Sequence, residues 1–384
     1  MKILHIALGG PFNEKMSYHE NMLAKENKKA GHNVTIITSC YKWDQTKIVK
    51  VPEEDRINDD GIRLIRLELD KILNDYYSKK FRRCNKLMSY LNLIKPDVIF
   101  HHGIQGLSLF TVSVYKKRNP NVILYVDNHA DKNNSASNWL SLNILHKLFY
   151  KTIIKLTIKY YNKVFYISFE AKEFLRDVYN IPEYKLEFYP LGGTIINPEN
   201  KYSYKIQIRK ELKISFDDIL LCHSGKMDEK KQTYEILKNF QKVKNRKLKL
   251  IIIGAFTDEV KKKVIPLIKR DKRIMYLGWK NSEELIKYIA ASDLYLQPGS
   301  QSATMQNALC AGTPVLIENV KSHEAYMSGN AFIINNYEDM EIVFAKICED
   351  PSVLKKMSER VYDLAVNNLD YKKLAERICH TSKR

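Results

Sequence analysis

Pro298-Gly299-Ser300-Gln301-Ser302-Ala303-Thr304-Met305-Gln306-Asn307-Ala308-Leu309-Cys310-Ala311-Gly312-Thr313-Pro314 reads as a strand end, a polar loop, a short apolar helix, a glycine C-cap and the approach to a next strand. Apolar runs at Leu294 to Leu296 and Pro314 to Glu318 flank it, so the segment is one β-α-β unit whose strands are buried on both faces of a parallel sheet. In open α/β sheets ligands bind beyond the carboxyl ends of strands, where glycine turns and helix N-termini present N–H groups. Ser302 alone would cap this helix. The concentration of further hydroxyl and amide side chains there suits a polyhydroxyl or phosphate ligand.

The same alternation extends outward in both directions. Strands are expected at Ile219 to His223, Leu248 to Ile253, Ile274 to Leu277 and Ala331 to Ile334, with helices closing the chain near 339–348, 353–367 and 371–379. Toward the N-terminus the strands are Lys2 to Leu8, Asn33 to Thr38, Gly61 to Leu67, Asp97 to Phe100, Asn121 to Tyr125, Lys163 to Ile167 and Lys185 to Tyr189. A helix over Ser17 to Ala30 joins the first two, and a basic helical stretch fills 72–93. The pattern breaks around Pro190-Leu191-Gly192-Gly193 and the polar Asn197 to Lys201, which places a linker there. The fold class is α/β, with Rossmann-like domains at 1–195 and 196–365.

With 384 residues, 45% hydrophobic and 28% charged, the chain exceeds what one core serves and has a globular composition with no room for a low-complexity tail. Cys40, Cys84, Cys222, Cys310, Cys348 and Cys379 are scattered without a C-x-x-C pair, which points to a reducing compartment and away from structural zinc. The first apolar run is too short for a signal peptide, and no window of 18 apolar residues exists. A cytoplasmic location is expected. The formal charge of +19 favours an anionic partner.

Two other turns bear on chemistry. Leu8-Gly9-Gly10-Pro11 is not G-x-G-x-x-G, and Thr38-Ser39-Cys40 ends the second strand without an acid, so a nicotinamide-dependent dehydrogenase loses its main support. Those glycines make either a ligand-binding turn or a tight turn alone. His223-Ser224-Gly225-Lys226-Met227-Asp228-Glu229-Lys230-Lys231-Gln232 sets lysines beside a helix start, where they clamp a diphosphate or form a solvated charge run.

Pro298 to Val315 resembles the donor-site segment of glycosyltransferase family 4, and Gly225 to Gln232 is similar to that family's Gly-Arg-x4-Lys-Gly. Gly31-His32-Asn33-Val34, Ile167-Ser168 and Pro190 to Gly193 fit the same family in the same order, over nearly the whole chain. The resemblance implies a GT-B fold, two Rossmann-like domains facing a cleft, with residues 366–384 as a helix returning toward the N-domain. It implies a retaining, metal-independent hexosyl- or N-acetylhexosaminyltransferase that uses a nucleotide-sugar, UDP-sugar first, as substrate and needs no cofactor. By the same resemblance Lys226 replaces the family's diphosphate-binding arginine, Lys231 matches its lysine, and His129 matches the N-domain histidine near the reacting sugar. The expected donor-binding set is Gly9, Gly10, Gly225, Trp279, Gln301, Ser302, Ala303, Thr304, Gln306 and Asn307. Where the family carries paired glutamates this chain has Gly299 and Asn307, so amides must serve the donor in their place.

Lys132 to Phe169 contains no Asp or Glu, and Lys147, Lys151, Lys155, Lys159 and Lys163 recur every four residues among apolar ones. On one helix these lysines form a single stripe, as on interfacial helices that meet anionic lipid. A second acid-free stretch, Tyr76 to Pro96, adds Lys79, Lys80, Arg82, Arg83 and Lys86. Together they predict peripheral contact with the inner membrane face and a lipid-linked or cell-surface polysaccharide or glycolipid acceptor. The competing readings are a nucleic-acid glucosyltransferase, disfavoured because it needs a basic cleft with stacking aromatics, a catalytically inactive sugar- or lipid-binding relative, and a nucleotide-sugar epimerase.

Overall fold

In the computed structural model, which describes residues 1–14, 16–44, 47–132, 135–136, 138–299 and 302–380, the chain divides into two units. Unit 1 takes Met1–Pro190 and the chain from Tyr371 onward, and unit 2 is Leu191–Asp370. The break falls at Pro190 because the next residues pack inside unit 2: Gly193 N–H donates to Leu369 O at 2.9 Å and Ile196 N–H to Cys310 O at 2.9 Å.

The strands of unit 1 are β1 (Lys2–Ala7), β2 (Asn33–Ser39), β3 (Tyr41–Asp44), β4 (Lys47–Lys50), β5 (Glu54–Ile57), β6 (Arg63–Leu67), β7 (Val98–His101), β8 (Ile123–Asn128), β9 (Lys163–Tyr166) and β10 (Leu186–Phe188). Its main sheet runs β10-β9-β8-β7-β1-β2-β6-β5, parallel except for β5 against β6, and β3 pairs with β4 as a separate hairpin. Alternate residues of each strand serve opposite faces. Leu4, Ile6, Ile99, Leu124 and Val126 enter one core cluster, while Ile3, Val98, Phe100 and Tyr125 enter another with Tyr371, Leu374, Ala375 and Ile378. The helix Tyr371–His380 therefore covers one face of the unit 1 sheet, tied there by Asn27 Nδ2 donating to Ala375 O at 3.1 Å and Tyr189 Oη to Leu374 O at 2.5 Å.

Unit 2 has β11 (Ile219–Met227), β12 (Leu248–Phe256), β13 (Ile274–Tyr276), β14 (Leu294–Gln297), β15 (Val315–Glu318) and β16 (Ala331–Ile334), in the order β13-β12-β11-β14-β15-β16 and parallel throughout. This is the strand order of a dinucleotide-binding sheet, and it reverses direction between β11 and β14. In unit 1 the equivalent reversal lies between β1 and β7. Leu220, Cys222, Ile251 and Ile253 face one core of unit 2, and Ile219, Leu221, Leu250 and Ile252 the other.

Three expectations need correction. The polar Asn197 to Lys201 is not a linker but the start of the helix Pro198–Leu212: Asn197 Oδ1 accepts from Asn200 N–H at 2.7 Å as its N-cap. The basic stretch over 72–93 is two helices, Asp75–Phe81 and Leu87–Ile94. The lysine stripe is not one helix either. Ser141–Tyr150 is π-helical, Lys151–Thr157 is α, Ile158–Tyr160 is a 3-10 turn and Lys163 opens β9.

Ile378 is fully buried against the sheet and Glu376 is exposed. Ile378→Ala should therefore cost about 2–5 kcal/mol in urea unfolding, while Glu376→Ala stays within about 0.5 kcal/mol. Equal effects would mean that this helix does not help to hold unit 1 together.

Candidate functional site

The reversal point of unit 2 gathers one site. β11 runs out to Met227, and Gly225 in it adopts φ +132°; a Cβ there would lie 3.4 Å from Lys231 Cε. Half-buried Lys231 projects Nζ toward Gln297 Oε1 at 3.4 Å, at the end of β14. Among the described residues it has no ion pair, and burial pushes its ammonium down to about 8 even though Asp228 favours the charge. Ser302 is the N-cap residue of the helix Ala303–Cys310 yet makes no capping bond. Its Oγ instead donates to Gln297 Oε1 at 3.1 Å and shares a 2.8 Å hydrogen bond with Thr304 Oγ1. A cation, a chain of hydroxyls and a helix N-terminus thus meet at the carboxyl ends of β11 and β14, an arrangement that binds phosphate. Gln306, on the same helix, is fully buried, and neither polar atom of its amide has a partner among the described residues. Asn307 is half-buried, and a Cβ on Gly193 would lie 3.2 Å from its Oδ1.

Gly299, the first of the two positions compared with the family's glutamates, has no room for a side chain. Its φ is +119°, and a Cβ there would stand 2.4 Å from Lys230 O, so this backbone excludes any side chain. Lys226 and Ala303 are exposed, and Trp279 is 70% exposed on the turn after β13; no described contact joins these three to Lys231. Gln301 lies outside the described residues.

Gly9 and Gly10, expected with the donor set, belong to unit 1 and sit beside a second site, at the reversal between β1 and β7. They line a cavity of about 310 Å³ with Glu20, Arg82, His102, Asp127 and His129. Asp127 is fully buried at the end of β8, where Oδ2 meets His102 Nδ1 at 2.8 Å and His129 Nε2 at 3.3 Å, and Oδ1 accepts from Gly103 N–H at 2.6 Å. Burial alone would raise its pKa, but the two imidazoles outweigh that and hold it well below the usual carboxylate range. His129, 41% exposed at its side chain, is raised in turn: burial opposes its charge, and Asp127 prevails.

The hydrogen bonds behind this pair fix their own polarity. Ala375 O can only accept, so Asn27 presents Nδ2 to it and Oδ1 to His5 Nε2 at 3.0 Å. His5 therefore carries its proton on Nε2, and Nδ1 accepts from His102 Nε2 at 3.1 Å. His102 Nδ1 in turn donates to Asp127 Oδ2 at 2.8 Å. Burial and His102 hold His5 neutral, with a pKa of about 3. His19 is buried and packs edge-on to His129 and Tyr189, with ring centroids 6.0 and 5.5 Å away. The sequence singled out His129 alone; the neighbouring Asp127 two residues before it, and the His101-His102 pair ending β7, were the available signals.

The two acid-free stretches of unit 1 meet. Phe81 packs on Phe149 with centroids 4.7 Å apart, and Tyr150 Oη donates to Lys80 O at 2.8 Å. Tyr76, Trp139, Leu140, Ile144 and Leu148 on these stretches are 49–68% exposed, an unusual concentration of large apolar side chains. Lys147, Lys155 and Lys159 are exposed among them; Lys151 Nζ donates to Asn180 Oδ1 at 3.0 Å, and Lys163 Nζ to Tyr184 O at 3.1 Å.

Asp127→Asn should cost about 1.5–3 kcal/mol of stability at neutral pH. The depressed Asp127 contributes stability that is lost as pH falls through its folded pKa, and the raised His129 contributes stability lost as pH rises through its own, so the pair matters most between the two. In the variant the His129 ring titration, followed by NMR, should move to lower pH, because burial then opposes the charge with only Glu20 left to favour it. An unmoved midpoint would contradict the pairing.

Residues 205–364 match the family model Glycosyl transferases group 1. No curated protein matches the sequence. Among solved structures, sucrose-phosphate synthase from Thermosynechococcus elongatus superposes with a TM-score of 0.70 at 14% identity, over 98% of this chain and 97% of that one. Anabaena HepE in complex with UDP gives 0.68 at 13%, over 99% of both. WaaG, a glycosyltransferase involved in lipopolysaccharide biosynthesis, gives 0.66 at 16%, over 100% of both. At these identities the likeness is one of fold: the chain has the two-domain GT-B architecture, and its residues 205–364 match the group 1 glycosyl transferase model.

Proposed function

We propose that the protein is a glycosyltransferase that takes a sugar from a nucleotide-sugar, UDP-sugar first, held by unit 2, and passes it to a glycan or lipid-linked acceptor engaged by unit 1. The observation that carries this reading is Lys231: a half-buried ammonium with no ion pair among the described residues, beside the hydroxyls of Ser302 and Thr304 at a helix N-terminus. As the nucleoside diphosphate leaves, the developing negative charge falls on these groups, with no metal in the scheme. HepE, whose solved complexes contain UDP and UDP-glucose, and the trehalose-6-phosphate protein bound with UDP-2-fluoro glucose support the choice of nucleotide. Retention of anomeric configuration follows from the family resemblance. His129 positions the sugar or the acceptor, with Asp127 fixing its charge and orientation.

The same proposal sets unit 1 on an anionic membrane through the joined acid-free stretches, whose exposed Trp139, Leu140 and Leu148 insert while the lysines meet the headgroups. WaaG's part in lipopolysaccharide synthesis supports an acceptor at a membrane surface. A sugar-binding relative without transferase activity is the second reading, favoured by Gly299, where no carboxylate can stand.

Calorimetry with UDP tests the donor site. Lys231→Ala should weaken binding by about 1.5–3 kcal/mol. In the parent the affinity should decline as pH rises past about 8, as the ammonium of Lys231 is lost, while the variant shows no such decline. Unchanged affinity in the variant would sink the placement. For the membrane, replacing Lys147, Lys151, Lys155 and Lys159 by Gln should release the protein from phosphatidylglycerol vesicles while UDP still binds, each lysine being worth about 1 kcal/mol near such a surface. Sedimentation equal to the parent's would reduce the stretch to a solvated face.

A further inference from the structure

Arg82, counted in the sequence among the basic residues of the membrane-facing stretch, is turned instead into the unit 1 cavity, and its setting there is built. It follows the helix Asp75–Phe81 as a C-cap in the left-handed region, φ 50° and ψ 42°, a conformation that is costly for a residue with a side chain. Its N–H donates to Ser78 O at 2.9 Å. From there the side chain runs along a slot made by three glycines. A Cβ on Gly106 would lie 2.8 Å from Arg82 Cβ and 3.0 Å from Cδ, one on Gly9 would lie 3.1 Å from Nη1, and one on Gly103 would lie 3.4 Å from Nη1. Gly9 and Gly103 stand just past the carboxyl ends of β1 and β7, so the slot opens at the reversal point of the unit 1 sheet. Nη1 donates to Gln105 O at 3.1 Å and Nε points at Lys79 O at 3.4 Å. Among the described residues no carboxylate pairs with the guanidinium, although it lines the same cavity as Glu20 and Asp127. Asp127 is already committed to His102, His129 and Gly103. The cavity thus presents a guanidinium and the imidazole of His129, and its one remaining acid among the described residues is Glu20.

We propose that Arg82 is an oxyanion-binding residue of the unit 1 cavity, holding a phosphate or carboxylate of the ligand that enters beside His129. A guanidinium offers two parallel N–H bonds to such a group, which a point charge does not. The glycine slot holds the fork in place before the ligand arrives. The proposal rests on reading unit 1 as a substrate-binding half of a glycosyltransferase. The oxyanion belongs either to an acidic acceptor, such as a sugar phosphate or a lipid phosphate, or to the diphosphate of the donor.

Inorganic phosphate and UDP are the probes, and the full chain is used throughout. Phosphate added at constant ionic strength, with chloride as control, should shift the His129 ring signals saturably in NMR. Arg82→Gln should weaken that response about tenfold or more, the loss of a charge-assisted contact, and Arg82→Lys should fall between, keeping charge without the fork. Should the Gln variant fail to fold, the Lys variant carries the comparison, because its stem still fills the slot. If UDP abolishes the phosphate response and itself binds more weakly to Arg82→Lys, the oxyanion is the donor's. If UDP affinity is untouched while the phosphate response falls, the oxyanion is the acceptor's. No saturable response in the parent, or the same response in both variants, overturns the proposal. UDP binding that still depends on Lys231 would then leave the glycosyltransferase reading standing, whereas absence of UDP binding would strike that reading without deciding the phosphate experiment.

Discussion

Parallel pairing delivers every strand's carboxyl end to one edge of its sheet, and where the strand order reverses, neighbouring loops diverge and leave a crevice. Both candidate sites of this chain follow from that constraint. In unit 1 the crevice lies between β1 and β7 and receives Gly9, Gly10, His102 and Gly103, with Asp127 and His129 from the next strand along. In unit 2 it lies between β11 and β14 and receives Gly225, Lys231, Gln297 and Ser302. The sheets do the positioning and the loops carry the chemistry, so the two units present different side chains from one scaffold.

The electrostatic logic of the two sites differs. In unit 2 the key cation has no ion pair among the described residues, and burial outweighs the favourable field of Asp228, so it is partly discharged and its charge is completed by an incoming anion. In unit 1 a buried carboxylate is shared between two imidazoles, and a run of neutral donors and acceptors, His5, Asn27 and the Ala375 carbonyl, fixes the protons behind it. The helix that supplies Ala375 comes from the end of the chain, so the proton arrangement at His129 depends on the docking of residues far away in sequence. Gly299 shows the same coupling of backbone to chemistry in unit 2. The Lys230 carbonyl occupies the space a side chain would need, and the polar contacts of the loop fall to hydroxyls and amides.

Much of this was legible in the sequence because strands buried on both faces must be apolar at successive positions, as in Ile219 to Cys222 or Leu250 to Ile253. Lys231, Ser302 and Thr304 stood next to recognisable strand ends and helix starts. The edge elements were missed for the opposite reason: β3, β4 and β5 are short and largely exposed, and Lys42, Lys47, Lys50, Glu54 and Arg56 give them no apolar pattern. The lysine stripe failed because a four-residue spacing predicts one face only while a single helix persists, and here the backbone passes from π to α to 3-10 and then to strand. The histidine network was hidden because His5, His102 and Asp127 come from three segments that only sheet formation brings together. Arg82 read as one more basic residue; in the structure glycines surround it and it lines the cavity, whereas Arg83 is paired with Asp70.

The central claim is that unit 2 holds a nucleoside diphosphate at the carboxyl ends of β11 and β14. A crystal structure of the protein grown with UDP tests it most directly. The account predicts diphosphate density with an oxygen about 2.7–2.9 Å from Lys231 Nζ, as in charge-assisted hydrogen bonds, and with the hydroxyls of Ser302 and Thr304 turned toward it. UDP bound elsewhere, with Lys231 still directed at Gln297, would contradict it.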